Sequence, residues 1–322
     1  MLAVYATRFS TDDPLSGLVV GERPEPDVPD GWTTVGVRAA ALNHHDLWSL
    51  RGVGLRQDKL PMILGCDAAG LDEDGNEVVV HAVISDPAWR GDETLDPKRS
   101  LLSERYPGTF AERVAVPRRN VVPKPAGLSL EEAACLPTAW LTAYRMLFTQ
   151  ARLRPGDSVL VQGAGGGVAT ACITLARAAG LRVLATSRDE DKRKRACELG
   201  AHEAVAPGER LPQPVDAVME TVGAATWSHS VRSLRPGGTL VVTGTTSGPN
   251  PAAAELTRIF FLQLRVQGST MGTREELRAL ADFLHLTGVR PLIDRTLPLT
   301  QAPEGFAAMA QGDVFGKVVF TL

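Results

Sequence analysis

The chain has 322 residues, a formal charge of −3, and is 44% hydrophobic and 22% charged. The near-balance of charge gives no electrostatic case for nucleic acid or an anionic membrane, and the length suggests two domains of ordinary globular composition. No apolar run approaches the ~20 residues of a membrane helix and no signal peptide is readable, so a cytoplasmic location is expected. Cys66, Cys135, Cys172 and Cys197 are widely spread, form no C-x-x-C pair, and read as reduced thiols.

The chain opens β-rich. Residues 2–8 alternate, and residues 12–30 form a Pro- and Asp-rich connection. Residues 32–42 put Thr33, Val35, Val37 and Ala39 on one face of a strand. Asn43-His44-His45-Asp46 follows, then a short helical piece over 47–50 that stops near Gly52; both histidines read as polar loop residues. Asp74-Gly75 is a hairpin turn, with the returning strand over 77–84. Residues 85–106 are long and polar and read as a loop over the site. Another strand covers 109–116.

The middle of the chain changes pattern. Ser129-Leu130-Glu131-Glu132 is a capping box, and a helix is expected over 138–150. Residues 157–161 form an apolar strand, and Gly163, Gly165, Gly166 and Gly167 then fall within five positions. From Val168 to Ala179, Val168, Ala171, Cys172, Leu175, Ala178 and Ala179 share a helical stripe, and a second strand covers 182–186. Strand, glycine turn, helix and strand make a right-handed βαβ unit, the start of a doubly wound parallel sheet of Rossmann type. Such a turn brings bare backbone N–H groups and a helix N-terminus to a pyrophosphate. Gly163, Gly165, Gly166, Gly167 and Val168 are therefore the candidate phosphate cradle.

The end of the second strand addresses cofactor choice. A site for NAD usually offers a carboxylate about 20 residues past the glycines. Here stand Thr186, Ser187 and Arg188, with Lys192 one turn on, while Asp189 fits a helix N-cap. Ser187, Arg188 and Lys192 suit a 2′-phosphate and point to NADPH, with solvated surface charge as the alternative. Further strands are expected over 215–220, 239–243 and 264–268, and helices over 224–234 and 252–262. Gly244 and Thr245 lie at a strand's carboxyl end, the edge where such sheets bind ligands. Thr273 and Gly288 bracket a helix over 274–286. A strand over 292–297, a helix over 303–311 and a last strand after Lys317 complete the chain.

LNHHDLW, PMILGCDAAG, GTFAERVAVP, EEAACLPTAWLTAYRML, GAGGGVA, LRPGGTLVVTG, GSTMGT and FGKVV occur in that order. Together they resemble the medium-chain dehydrogenase/reductase superfamily, nearest its quinone oxidoreductase-like and zinc-type alcohol dehydrogenase-like branch. The resemblance implies an α/β chain with a GroES-like catalytic domain (1–123 and 273–322) around a Rossmann domain (124–272). It also implies that Thr142, Met271 and Lys317 lie near the cofactor, and that the last Rossmann strand pairs in a homodimer.

The same resemblance bears on metal. Its alcohol dehydrogenases hold zinc with Cys, His and Cys, and a Glu follows the His. Asn43, Cys66 and Thr138 stand in the ligand places here and Asp67 in that of the Glu, so no zinc is expected. Cys66, Asp67, His44 and Cys135 are ligand types, but in a spacing that matches no known pattern. Without a Lewis acid, the reaction suited to the fold is hydride transfer to an enone, enal or quinone. Asn43 is the candidate to orient the nicotinamide or donate to the substrate oxygen, or a turn-capping residue. Asp46 stands beside it as a cap or an orienting group. A zinc alcohol dehydrogenase with atypical ligands and a non-enzymic NADPH-binding protein are the rival readings.

Overall fold

The strand Trp32–Ala41 is the spine of the first of two units into which the chain divides. The computed structural model describes residues 1–322; Met1–Leu141 and Met271–Leu322 form one unit, and Thr142–Thr270 the other. In the first unit the spine pairs antiparallel with Asp67–Leu71, Arg113–Pro117 and the chain's last strand, Lys317–Thr321. They belong to a seven-stranded sheet. Thr33, Val35, Val37 and Ala39 are buried, as the period-two pattern requires. The core includes Phe110, whose ring lies 5.2 Å from that of Phe320 and 6.1 Å from that of Phe306, both edge-on.

Several expectations for this unit need correction. The connection over 12–30 contains a 3₁₀ turn, Pro14–Gly17, and a strand, Leu18–Glu22, which pairs with Leu2–Ala6. The strand over 77–84 breaks into Glu77–Val80 and Val83–Ile84, and Ser100–Leu101 of the long loop pairs with the latter piece. The helix Leu130–Ala134 packs on Trp32–Ala41 and Asp67–Leu71 through buried Ala133 and Ala134. That packing draws residues 124–141 into the first unit, so its seam falls after Leu141 and not after residue 123.

The second unit holds a six-stranded parallel sheet. Its spatial order is Glu203–Val205, Arg182–Thr186, Ser158–Val161, Val215–Glu220, Leu234–Val242 and Arg265–Gly268. This is the doubly wound order, and it reverses between Ser158–Val161 and Val215–Glu220, where open α/β sheets take ligands. Leu160, Leu184, Val218 and Leu240 fill the core beneath. The helix expected over 138–150 is mostly wide-turned. Leu136–Trp140 and Arg145–Gln150 are π-helical and flank the α-helical Leu141–Tyr144. The helix expected over 252–262 shrinks to Leu256–Phe261, preceded by Glu255 at φ +58°.

Candidate active site

The glycine turn leaves the central parallel strand Ser158–Val161 and enters the helix Gly167–Ala178, with Gly166 as its N-cap. Gly163 and Gly165 have φ of +72° and +138°, backbone that side chains rarely adopt. A Cβ on Gly166 would meet nothing within 4 Å, so the backbone there is bare, as a dinucleotide cradle requires. Gly167 and Val168 form the helix's first turn.

A polar network beneath the turn was not legible in the sequence. Gln162 is fully buried; its Oε1 accepts from Thr186 Oγ1 at 2.7 Å, and Thr186 Oγ1 accepts from Gly163 N at 3.2 Å. Gln162 Nε2 donates to Ser230 Oγ, whose hydroxyl donates to the buried Glu220 carboxylate at 2.6 Å. Glu220 also accepts from Val222 N, Gly223 N and Thr226 Oγ1. One chain of hydrogen bonds thus ties the first glycine of the turn to three strand ends.

At the end of Arg182–Thr186, Ser187 is buried and its Oγ accepts from Asp189 N at 3.2 Å. Asp189 Oδ1 accepts from Asp191 N and Lys192 N, so this carboxylate caps the helix Glu190–Leu199. The Arg188 side chain is exposed and Lys192 half-buried. Gly244 and Thr245 follow the strand Leu234–Val242, as expected, and a Cβ on Gly244 would lie 2.9 Å from Thr221 O. Thr142 is buried in the α-helical turn between the two π segments. Met271 is buried with Cys66, Ala82 and Val83, at φ +50°.

In the first unit, Asn43 ends the spine and begins the helix His44–Leu50. Its amide is fully engaged. Nδ2 donates to Ala41 O at 3.1 Å and Asp67 Oδ2 at 2.9 Å, and Oδ1 accepts from Lys317 Nζ at 2.6 Å. The expectation of a free donor for substrate is therefore corrected: Asn43 is a buried structural link. Lys317 is corrected with it. Its ammonium is 2% exposed and also donates to Leu42 O at 2.8 Å and Asp67 Oδ2 at 3.2 Å, which leaves it no proton for a cofactor phosphate.

Asp46 is fully buried, and its two oxygens accept from Asn43 N at 2.9 Å and Gly65 N at 3.0 Å. It caps the short helix, which begins at His44 and not at residue 47, and pins the turn before Cys66. A Cβ on Gly65 would lie 2.5 Å from Phe110 Cδ1 and Thr109 Oγ1, and its φ is +98°, so only glycine brings this N–H to Asp46. Burial, against the pull of His45 and the Asn43 N–H, raises the Asp46 pKa to about 6.

His45 has contacts that the sequence did not reveal. It is not a loop residue: it lies in the helix's first turn, with Nδ1 3.4 Å from Cys66 Sγ and Nε2 3.1 Å from Glu104 Oε1. Glu104 comes from the long polar loop, where no spacing marks it. Ligand atoms of His45, Asp46 and Cys66 lie within 4.8 Å of one another. The set supplies three ligand types where a tetrahedral zinc site takes four. Both Asp46 oxygens accept from backbone N–H groups, and the Cys66 thiol, whose pKa burial raises, is aimed at Leu102 O at 3.2 Å. Asn43 and Asp67, in one of the ligand places and in the Glu place, carry a buried ammonium between them.

Parallel sheet, switch point and bare glycine turn define a dinucleotide-dependent α/β protein. Comparison with known proteins sharpens this. The alcohol dehydrogenase GroES-like domain matches residues 29–126, and the zinc-binding dehydrogenase domain matches 167–285. The second match contains none of His45, Asp46 and Cys66. The acryloyl-coenzyme A reductase of Sulfurisphaera tokodaii is 27% identical, covering 95% of this chain and 97% of its own. The quinone oxidoreductase of Mus musculus is 29% identical, over 89% and 88%. A crystal structure of an NAD-dependent alcohol dehydrogenase superposes with a TM-score of 0.92 at 34% identity over the whole of both chains. The chain belongs to the medium-chain dehydrogenase/reductase superfamily and is an oxidoreductase of that type.

Proposed function

We propose that the protein reduces an activated C=C bond or a quinone, using NADPH and no zinc. The observation that carries this reading is the buried Lys317 ammonium between Asn43 and Asp67. Two of the four positions that resemble metal-site residues, Asn43 and Asp67, are committed to this ammonium, and the donor types left are a buried thiol, a threonine hydroxyl, an imidazole and a capping carboxylate. Hydride addition to a conjugated system leaves charge on oxygen, which hydrogen-bond donors stabilise without a Lewis acid. The names of the acryloyl-coenzyme A reductase and quinone oxidoreductase relatives point the same way.

When bound, the reduced nicotinamide supplies the hydride. The chain's own part is to hold the pyrophosphate at Gly163 to Val168 and the 2′-phosphate at Arg188 and Lys192. Thr142 and the Gly244–Thr245 edge are read as contacts for the nicotinamide half. The exposed edge strand Arg265–Gly268, with Phe260 70% and Phe261 75% exposed beside it, supports a homodimer joined along that edge.

The test is steady-state oxidation of NADPH and NADH with a panel of enones and quinones, with and without chelator, beside metal analysis of the purified protein. Chelator-insensitive turnover preferring NADPH is the expected result. Stoichiometric zinc, with activity lost to chelator and restored by zinc, would instead make His45, Asp46 and Cys66 ligands of an alcohol dehydrogenase.

A further inference from the structure

Gly163, the first glycine of the turn, is held in two ways. Its N–H donates to Thr186 Oγ1 at 3.2 Å, and the next N–H, that of Ala164, donates to Thr186 O at 2.7 Å. Val222 also lies against it: a Cβ on Gly163 would be 2.7 Å from Val222 Cγ2. Both contacts lead to the Glu220 carboxylate. Val222 N donates to Glu220 Oε1 at 2.7 Å, and Thr186 reaches Glu220 Oε2 through Gln162 and Ser230.

The direction of that chain of hydrogen bonds is set at its start. A backbone N–H can only donate, so the Thr186 hydroxyl accepts from Gly163 and gives its own hydrogen to Gln162 Oε1. The Gln162 amide nitrogen then faces Ser230 Oγ at 3.0 Å, and Ser230 donates onward to Glu220 at 2.6 Å. Gln162, Thr186, Glu220 and Ser230 are fully buried, so bulk solvent does not compete for these bonds. The turn is thereby divided. Gly163 and Ala164 commit their N–H groups to Thr186 and offer none to a ligand. Gly166 has no side chain to cap the helix Gly167–Ala178, so the first-turn N–H groups of Gly167 and Val168 remain for an anion.

We infer that Thr186, Gln162 and Glu220 are positioning residues for the dinucleotide, which act through Gly163 to fix where the Gly167 and Val168 N–H groups meet the pyrophosphate. The inference rests on the dinucleotide-binding reading of the turn. A turn anchored in this way is ordered before the ligand arrives, so binding does not bear the entropy of ordering it. The pyrophosphate is common to NADPH and NADH. The Thr186 hydroxyl therefore sets affinity for both and does not choose between them, in contrast to a side chain at the 2′-phosphate.

Two measurements on the full chain test this. Thr186→Val keeps the side chain's shape and its preference for a strand, but strands the Gly163 N–H and Gln162 Oε1. Titration calorimetry is expected to show the dissociation constants for NADPH and NADH both rising roughly 10-fold in this variant. Thr186→Ser restores the hydroxyl and is expected to stay within about threefold of wild type. Unchanged affinity in Thr186→Val, a loss confined to NADPH, or a loss in Thr186→Ser as deep as in Thr186→Val would overturn the inference alone. Amide hydrogen exchange of the wild type needs no variant to fold. Gly163 and Ala164 are expected to be protected in the free and the NADPH-bound protein alike, and Gly167 and Val168 only in the bound one. A Gly163 amide that exchanges freely until nucleotide binds would overturn the inference. A wild type that binds neither nucleotide would overturn the dinucleotide reading, and the inference with it.

Discussion

Lys317 Nζ lies 3.2 Å from Asp67 Oδ2, and both residues are at most 2% exposed. The pair joins the first residue of one strand to the first of another, through Asn43 at the end of the spine between them. Removing one partner of a buried pair strands the other charge and typically costs about 3–5 kcal/mol. Lys317→Met is therefore expected to lower unfolding stability by about that amount, while NADPH affinity in the folded fraction stays within a few-fold. Denaturant titration and fluorescence binding read the two effects separately. A Lys317 that bound phosphate would show the reverse.

His81 follows the strand Glu77–Val80, is fully buried, and has no hydrogen-bond partner at either ring nitrogen. Burial, with the charges of Arg274 and Arg278, lowers its pKa to about 3. The unfolded chain takes up its proton near pH 6.5 and the folded chain does not. Stability from this group is thus complete above pH 6.5 and lost as pH falls toward 3. By pH 4 the loss is on the order of 3 kcal/mol. His81→Leu is expected to flatten the stability profile between pH 6.5 and 4, measured by urea unfolding at each pH.

Asp46 works in the opposite direction. Its folded pKa of about 6 lies above the ordinary aspartate value of 3.8, so folding binds a proton between those limits. The cost of the buried charge is absent below pH ~4 and grows as pH rises through 6, to on the order of 3 kcal/mol. The two N–H bonds from Asn43 and Gly65 hold the carboxylate in place all the same. Asp46→Asn is expected to remove this pH dependence while weakening one of the two bonds, so its stability falls below wild type at pH 4 and approaches it at pH 8.

Arg188 carries the cofactor preference if NADPH is the partner. One charge-assisted hydrogen bond is worth about 1.5–3 kcal/mol, or roughly 10- to 100-fold in affinity. Arg188→Glu is expected to weaken NADPH binding by that factor and to leave NADH within about threefold. Titration calorimetry with both nucleotides decides it; equal losses for the two would place Arg188 outside the 2′-phosphate site.

Phe261 is 75% exposed beside the edge strand Arg265–Gly268, where Val266 is 46% exposed. Sedimentation velocity is expected to show a dimer for the wild type and a monomer for Phe261→Glu. A monomeric wild type would remove the assembly reading.

What could be read from the sequence followed the range of the interactions. The strand, glycine turn and helix from Ser158 to Ala178 are local: buried parallel strands are unbroken apolar runs, and the turn needs glycine. The strand Leu18–Glu22 was hidden because its half-buried residues follow Pro14 and a run of aspartates. The site itself is non-local. Lys317 meets Asn43 across 274 residues, and Glu104 meets His45 across 59. Neither pairing leaves a periodicity or spacing, so Asn43 read as a free amide and His45 as a solvated one of two histidines.

The segment between Ser100 and Tyr106 brings together Leu102 O for the thiol and the Glu104 carboxylate for the imidazole. Both partners therefore travel on one short piece of chain, which is also anchored in the core by Leu102. A change of length in this segment would disturb the thiol and imidazole contacts together, while the Lys317 pair, made by other strands, would stay as it is.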